Sequence, residues 1–210
     1  MEKKEFDLVI GFITGYKYPK IKPWVESLLN SGFTGQKMMV TYNIEKDVIE
    51  QLESLDFIVI PLTTTGQFNI VKERFLSTWQ YLKFIKEKPR YIISTDVADV
   101  VFQSNPSEWL EKHLGDKKIC ASAESLLYKD EAWGIHNMKQ SFGPIAANYM
   151  AEMPIYNAGV TAGTYEDYID LCYNVYLLCN GAPSHVPGGG GPDQAALNLL
   201  LSLKPYKDIT

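Results

Sequence analysis

Asp96 and Asp99, in the segment Ser94-Thr95-Asp96-Val97-Ala98-Asp99, are the pair of side chains with the most pointed chemistry in this sequence. They stand three residues apart, and a turn brings residues i and i+3 together. Two carboxylates that converge in this way suit a hard divalent cation such as Mn²⁺ or Mg²⁺, which takes carboxylate oxygens and bridges to substrate phosphates. In a straight strand the same two side chains would point to opposite faces. A second reading of the pair therefore stays open, in which one Asp caps a turn and the other is solvated. Their place at the end of a strand-like run, followed by VVFQSNP, favours the metal.

The elements around this segment read as alternating strands and helices. Residues 7–14 (DLVIGFIT) form a near-continuous apolar run of the kind a strand buried on both faces shows. A helix is expected over 23–29, a strand over 37–42, a helix over about 45–54 and a strand over 57–62. A loop at 63–66 leads to a helix over 69–87, whose apolar residues recur at helical spacing. A strand over 90–95 then runs into Asp96. Such alternation predicts an α/β domain with a largely parallel sheet. Ligands in such sheets sit outside the carboxyl ends of the strands. Thr14-Gly15-Tyr16 and Asp96 to Asp99 are thereby expected beside one crevice. The second half reads as a strand over 118–123, a mixed stretch over 126–148, a strand over 155–163, and helices over 165–179 and 193–203.

Composition narrows the function classes. With 46 % apolar and 21 % charged residues, the chain reads as an ordinary globular protein. Its net charge is −5 and it has no Lys/Arg run, which argues against nucleic acid as a partner. An acidic protein binds an anion locally, through a metal, a helix N-terminus or one or two basic side chains. No apolar run is long enough for a membrane span, which needs about 18 residues. The start, Met1-Glu2-Lys3-Lys4-Glu5, lacks a signal-peptide pattern. Cys120, Cys172 and Cys179 are odd in number and without CxxC spacing, so reduced thiols in a cytoplasmic protein are expected. Gly188 to Gly191 lacks the Lys-Ser/Thr of a phosphate-cradling loop, so an ATPase is rejected and a closing glycine loop is expected instead. The chain shows no internal repeat or linker, and one domain over 1–210 is expected, open to being a piece of something longer.

The stretch IISTDVADVVFQSNP resembles the metal-binding "DxD" segment of GT-A glycosyltransferases. Three further stretches resemble the same family in the same order. They are Ser122-Ala123-Glu124, Tyr156-Asn157-Ala158-Gly159-Val160 and Gly191-Pro192-Asp193-Gln194. The likeness spans nearly the whole chain. It implies a GT-A (Rossmann-like) fold, a mostly parallel mixed sheet flanked by helices, and a UDP-sugar donor held with Mn²⁺ or Mg²⁺. It also implies a glycan or glycoprotein acceptor, and transfer of a glucose-like or 6-deoxy hexose with retention. The chain further resembles the amino-terminal glycosyltransferase domain of a chlorella-virus multi-domain protein, which would put it in a host cytoplasm.

The resemblance also implies roles residue by residue. Thr14, Gly15 and Tyr16 would hold the nucleotide, with the Tyr16 ring on the base. Arg74 would reach the diphosphate or brace Asp96, a task for a guanidinium fork; a surface ion pair with Glu73 or Glu87 is the plainer reading. Lys72 is a weaker candidate of that kind. Thr95 and Asp96 would lie beside the diphosphate, and Asp96 and Asp99 would bind the metal. Asn157 would meet sugar hydroxyls or the diphosphate. Asp193 would face the sugar or cap the last helix, two compatible roles. Glu124 would bind the acceptor hydroxyl or act as base, and Trp133 and His136 would stack an acceptor sugar.

The chain departs from the family in two ways. The acids are spaced i,i+3 rather than i,i+2, and no His follows Asp193 as a third ligand, His185 being a loop residue. Two alternatives therefore stay open, a sugar-phosphate nucleotidyltransferase and a non-catalytic carbohydrate-binding scaffold.

Overall fold

A computed structural model describes residues 5–64, 69–183 and 190–210. In chain order the first half is β1 (Leu8–Thr14), α1 (Tyr18–Asn30), β2 (Gln36–Tyr42), α2 (Lys46–Ser54), β3 (Phe57–Leu62), α3 (Ile70–Phe84) and β4 (Tyr91–Thr95). The second half is α4 (Pro106–His113), β5 (Ile119–Leu127), α5 (Ala132–Met150), β6 (Pro154–Thr164), α6 (Tyr165–Gly181), α7 (Asp193–Leu201) and α8 (Tyr206–Ile209). A single 3-10 turn, Tyr128–Asp130, joins β5 to α5.

The six strands form one mixed sheet in the order β3-β2-β1-β4-β6-β5. β1 runs parallel to β2 and β4, and β2 parallel to β3; β6 is antiparallel to both β4 and β5. This is an α/β fold with helices on both faces of the sheet, an arrangement compatible with a Rossmann-like fold. Strand alternation divides β1 between two cores. Leu8, Ile10 and Phe12 pack beneath α3, α6 and α7, while Val9 and Ile13 pack beneath α1 and α2. Trp24 is fully buried in the second core, and its indole N–H donates to Thr95 Oγ1 at 2.7 Å. Burying a ring of this size stabilises the fold by roughly 2–3 kcal/mol, provided the N–H is bonded as it is here.

Most of the expected elements lie where their patterns place them, and three differ. α1 begins at Tyr18 rather than 23, because Pro19 sits in the first turn, where a missing N–H is harmless. Residues 106–113, to which the sequence reading assigns no element, form α4, with the Asn105 side chain accepting from Ser107 N–H. The mixed stretch over 126–148 is mostly α5, kinked at Gly143, whose φ of 84° precedes Pro144. That kink breaks the helical spacing of its apolar residues and hides the helix from a periodicity reading.

The carboxyl ends of β1 and β4 position the candidate site. From β1 the chain winds outward through β2 to β3, then returns to place β4 on the other side of β1. β1 and β4 therefore flank the point where strand order reverses, the place at which open α/β sheets leave a crevice. The opposite end of these strands is pinned by Asp7, 5 % exposed. Its carboxylate accepts from Arg90 Nε at 3.0 Å, Arg90 Nη2 at 2.8 Å and the Tyr91 N–H at 3.2 Å. Glu111 of α4 also pairs with Arg90.

Candidate functional site

Arg74 is the hub of the crevice. It is buried in the second turn of α3, whose N-terminus is capped by Asn69 accepting from Val71 N–H at 3.1 Å. Its Nη1 donates to Asp96 Oδ1 at 2.5 Å. Its Nη2 donates to Asp193 Oδ2 at 2.8 Å and to the Ala158 carbonyl at 3.0 Å. One guanidinium thus ties together the end of β4, the start of α7 and the middle of β6. Burial alone would disfavour its charge, but Asp193 and Asp96 more than restore it and hold its pKa above the usual arginine value. The surface pair with Glu73 or Glu87 does not form, because the helix turns Arg74 inward.

Asp193 is 7 % exposed. Burial pushes its carboxyl above the ordinary range, against the pull of Arg74 and of the backbone N–H groups of Gln194 and Asp193. It is the first residue of α7, with Pro192 in the cap position, so its carboxylate lies at the helix N-terminus without being the N-cap. With Arg74 on Oδ2 and backbone donors around it, Asp193 is placed to position Arg74 rather than to take a proton from solvent.

Asp96 is the partly open member of the set, its side chain 46 % exposed. Its N–H donates to the Gly159 carbonyl at 2.6 Å. A Cβ on Gly159 would overlap Asp96 Oδ2, so only glycine leaves room for the carboxylate there. β4 ends at Thr95, and residues 97–99 bend. The bend brings Asp96 and Asp99 to the wall of one cleft of about 210 Å³, shared with Thr14, Tyr16, Val71 and Arg74. The i,i+3 spacing thus serves one cleft, because the chain has left the strand. Arg74 occupies Oδ1 of Asp96; Oδ2 and the exposed carboxylate of Asp99 are oxygen donors of the kind a hard cation takes. Among the described residues, no group of three or more His, Cys, Asp and Glu side chains encloses a metal position. These two acids suit a cation that completes its shell with water and phosphate oxygens, which is the habit of Mg²⁺.

The other candidates divide by face. Tyr16 is 36 % exposed and lines the cleft beside Thr14, with Gly15 between them turning the chain at φ 63°. Thr95 does not face this cleft. It precedes Asp96, so strand alternation sends its hydroxyl through the sheet to Trp24. Lys72 likewise points away, donating to Asn180 Oδ1 at 3.3 Å on α6. Trp133 and His136 lie in the first turns of α5. The backbone of Gly190 lies against the Trp133 ring, and the Gly191 carbonyl accepts from Asn137 Nδ2 at 3.1 Å. The loop at 63–66, His185 and the rest of the glycine loop fall wholly or partly outside the described residues.

Glu124 and Asn157 meet. Between Ala123 and Leu127 the register of β5 on β6 slips, and Ser125 takes φ 57°. Such a bulge re-aims side chains at the end of a strand. Glu124 Oε1 accepts from Asn157 Nδ2 at 3.0 Å and from Gln194 Nε2 at 3.5 Å. The same two amides use their oxygens on the β6 backbone, Asn157 Oδ1 on Gly159 N–H at 2.6 Å and Gln194 Oε1 on Ala158 N–H at 3.4 Å. Gln194 and Gly159 are site residues that sequence reasoning did not single out. Both stand inside the motif stretches, but their partners Glu124 and Asp96 lie far away along the chain.

Burial pushes the thiols of Cys120, Cys172 and Cys179 up, Cys179 to about 12, and all three are free. Among the described residues no helix is long and apolar enough to cross a membrane. Comparison of the chain with protein-family models and with curated proteins finds no match.

Proposed function

We propose that this protein is a GT-A-type glycosyltransferase that moves a hexose from a UDP-sugar to a glycan hydroxyl. The observation that carries the reading is the Asp96–Arg74–Asp193 network at the reversal of strand order, with Asp99 on the same cleft. It joins three of the four stretches that resemble the family, through Asp96, Ala158 and Asp193, and Glu124 of the fourth bonds to Asn157 and Gln194. Asp96 and Asp99 would hold Mn²⁺ or Mg²⁺, whose charge stabilises the diphosphate as it leaves. Arg74 fixes the orientation of Asp96 and adds a positive charge behind it, the preorganised electrostatics that lower such barriers. Tyr16 offers its ring to the base and Thr14 its hydroxyl beside it.

In the transfer, the bond from C1 of the sugar to the diphosphate oxygen breaks, and a bond from C1 to the acceptor oxygen forms. With retention, the acceptor approaches on the face the diphosphate leaves, and its proton passes to the departing oxygen. Asn157 then steadies sugar hydroxyls. With inversion, Glu124 would take the proton, being partly exposed and held by two amides.

The test is calorimetric titration of UDP, UDP-sugars and UTP with and without Mn²⁺, coupled to an assay of UDP release. Tight UDP binding only with Mn²⁺, lost in the Asp96→Ala and Asp99→Ala variants, is expected. Metal-independent binding unchanged in both variants would refute the metal site. Pyrophosphate release from UTP and a sugar phosphate would assign a nucleotidyltransferase instead. Glycan binding without turnover of any donor would assign a scaffold.

A further inference from the structure

The peptide group that joins Ala158 to Gly159 in β6 has a charge on one side and an amide on the other. Its carbonyl accepts from Arg74 Nη2 at 3.0 Å, and its N–H donates to Asn157 Oδ1 at 2.6 Å. Asn157 Nδ2 then donates to Glu124 Oε1 at 3.0 Å. Every bond in this series runs the same way, from a guanidinium through two amide groups to a carboxylate. Amides bonded at both ends polarise one another, so the chain is stronger than its separate bonds. Its direction also fixes the Asn157 side chain. Flipped, the amide would set oxygen against Glu124 Oε1 and nitrogen against the Gly159 N–H. Gln194 repeats the pattern at longer range, with Oε1 on Ala158 N–H at 3.4 Å and Nε2 on Glu124 Oε1 at 3.5 Å.

Both amides meet the same carboxylate oxygen. Glu124 is half-buried, and its Oε2 takes no hydrogen bond among the described residues. One oxygen is therefore fixed, and the other is left for a donor from outside. The same stretch of β6 carries the metal candidate, since the Gly159 carbonyl accepts from Asp96 N–H at 2.6 Å. Tyr128 and Glu131 titrate on the Glu124 side, where burial, Glu124 and Glu131 together push the Tyr128 hydroxyl up.

We propose that Asn157 is a positioning residue that links Arg74 to Glu124 and aims Glu124 Oε2 at the hydroxyl to be glycosylated. The assignment rests on the glycosyl-transfer reading. Glu124 accepts the hydrogen of that hydroxyl and turns its oxygen toward C1 of the donor sugar. Arg74, bound to Asp96 and Asp193, sets the far end of the chain, so one series of bonds holds the diphosphate side and the acceptor side in register. The second Nδ2 hydrogen of Asn157 is left for a sugar hydroxyl.

The test variant is Asn157→Asp, which keeps an oxygen on the Gly159 N–H and sets a second carboxylate oxygen against Glu124. The probe reaction is UDP release from UDP-hexoses with Mn²⁺ and no glycan, in which water supplies the hydroxyl. The pH below which release is lost should rise by about one unit in Asn157→Asp, because adjacent carboxylates share a proton. Gln194→Glu should move it the same way by less. In a Glu124→Gln background, Asn157→Asp should no longer move that pH and should change kcat by less than twofold. A wild-type pH profile in Asn157→Asp overturns the assignment. So do losses at positions 124 and 157 that multiply, which would give Asn157 to the donor directly. Failure of the wild type to release UDP from any donor overturns the reading beneath. The chain itself is read separately by NMR. The Asn157 Nδ2 proton resonance should move as Glu124 titrates and stay fixed in Glu124→Gln; a resonance that stays fixed in the wild type overturns the link, whatever the protein catalyses.

Discussion

Arg74 is bonded to two carboxylates and a carbonyl from three different elements, and the charge of the site depends on it. Removing one partner of a buried ion pair leaves the other uncompensated, at about 3–5 kcal/mol. Arg74→Ala should therefore lower unfolding free energy by roughly that amount in urea denaturation. In that background Asp193→Ala should cost far less than in the wild type, since the buried carboxylate then has no partner to lose. Gly159→Ala tests the same site from the backbone side. The added methyl would overlap Asp96 Oδ2 and force that side chain to move. Mn²⁺-dependent UDP binding should fall by at least tenfold, and thermal stability should fall only modestly, by about 1–3 kcal/mol of overpacking. A Gly159→Ala variant with native Mn²⁺-dependent binding would show that Asp96 need not stand where it does.

Two elements hold the site in register. α7 brings Asp193 and Gln194 to β6, and Asn198 fastens it there. The Asn198 side chain accepts from Tyr156 N–H at 2.8 Å and donates to the Tyr156 and Gln194 carbonyls, both at 2.7 Å. It is 1 % exposed, and Asn198→Ala removes the partners of the part-buried Tyr156 N–H and carbonyl. A loss of about 2–3 kcal/mol is expected from the denaturation midpoint, together with weaker donor binding as α7 shifts. At the far end of the sheet, Asp7 anchors β4 through Arg90. Burial raises the Asp7 carboxyl, but Arg90 and the Tyr91 N–H outweigh it, and the net pKa lies below the usual value of 3.8. A carboxyl depressed on folding contributes stability above its unfolded pKa and loses it as pH falls through its folded one. The stability gap between wild type and Asp7→Asn should thus be constant near neutrality and close progressively below about pH 4. A gap that widens with acidification would contradict the pairing.

At the scale of the molecule, β1 and β4 are the innermost strands, buried between helices on both faces, while β5 is an edge strand interrupted by bulges. Native-state hydrogen exchange should follow that order. The amides of Val9 to Ile13 should exchange only through global unfolding, and those of Glu124 to Leu126 orders of magnitude faster through local opening. Uniform protection across the sheet would contradict this. The arrangement gives the site a rigid side, made by β1, β4 and α3, and a more yielding side around Glu124.

The parallel half of the sheet, the helices between its strands and the crevice position of Asp96 and Asp99 were legible in the sequence, because period and strand-end placement are local properties. α5 was not, since Gly143 and Pro144 break its period; nor was α4, whose eight residues are short and mostly polar. Side-chain partners were least legible. Arg74 stood as a candidate among its acidic neighbours, yet it bonds to Asp193, 119 residues away. Thr95 read as a ligand residue beside Asp96, and alternation turned it to the other face. Residue types and spacing determined which chemistry was present; only the tertiary structure decided which groups meet. The physical reason is that a charge becomes a hub through burial and long-range packing that no local pattern encodes.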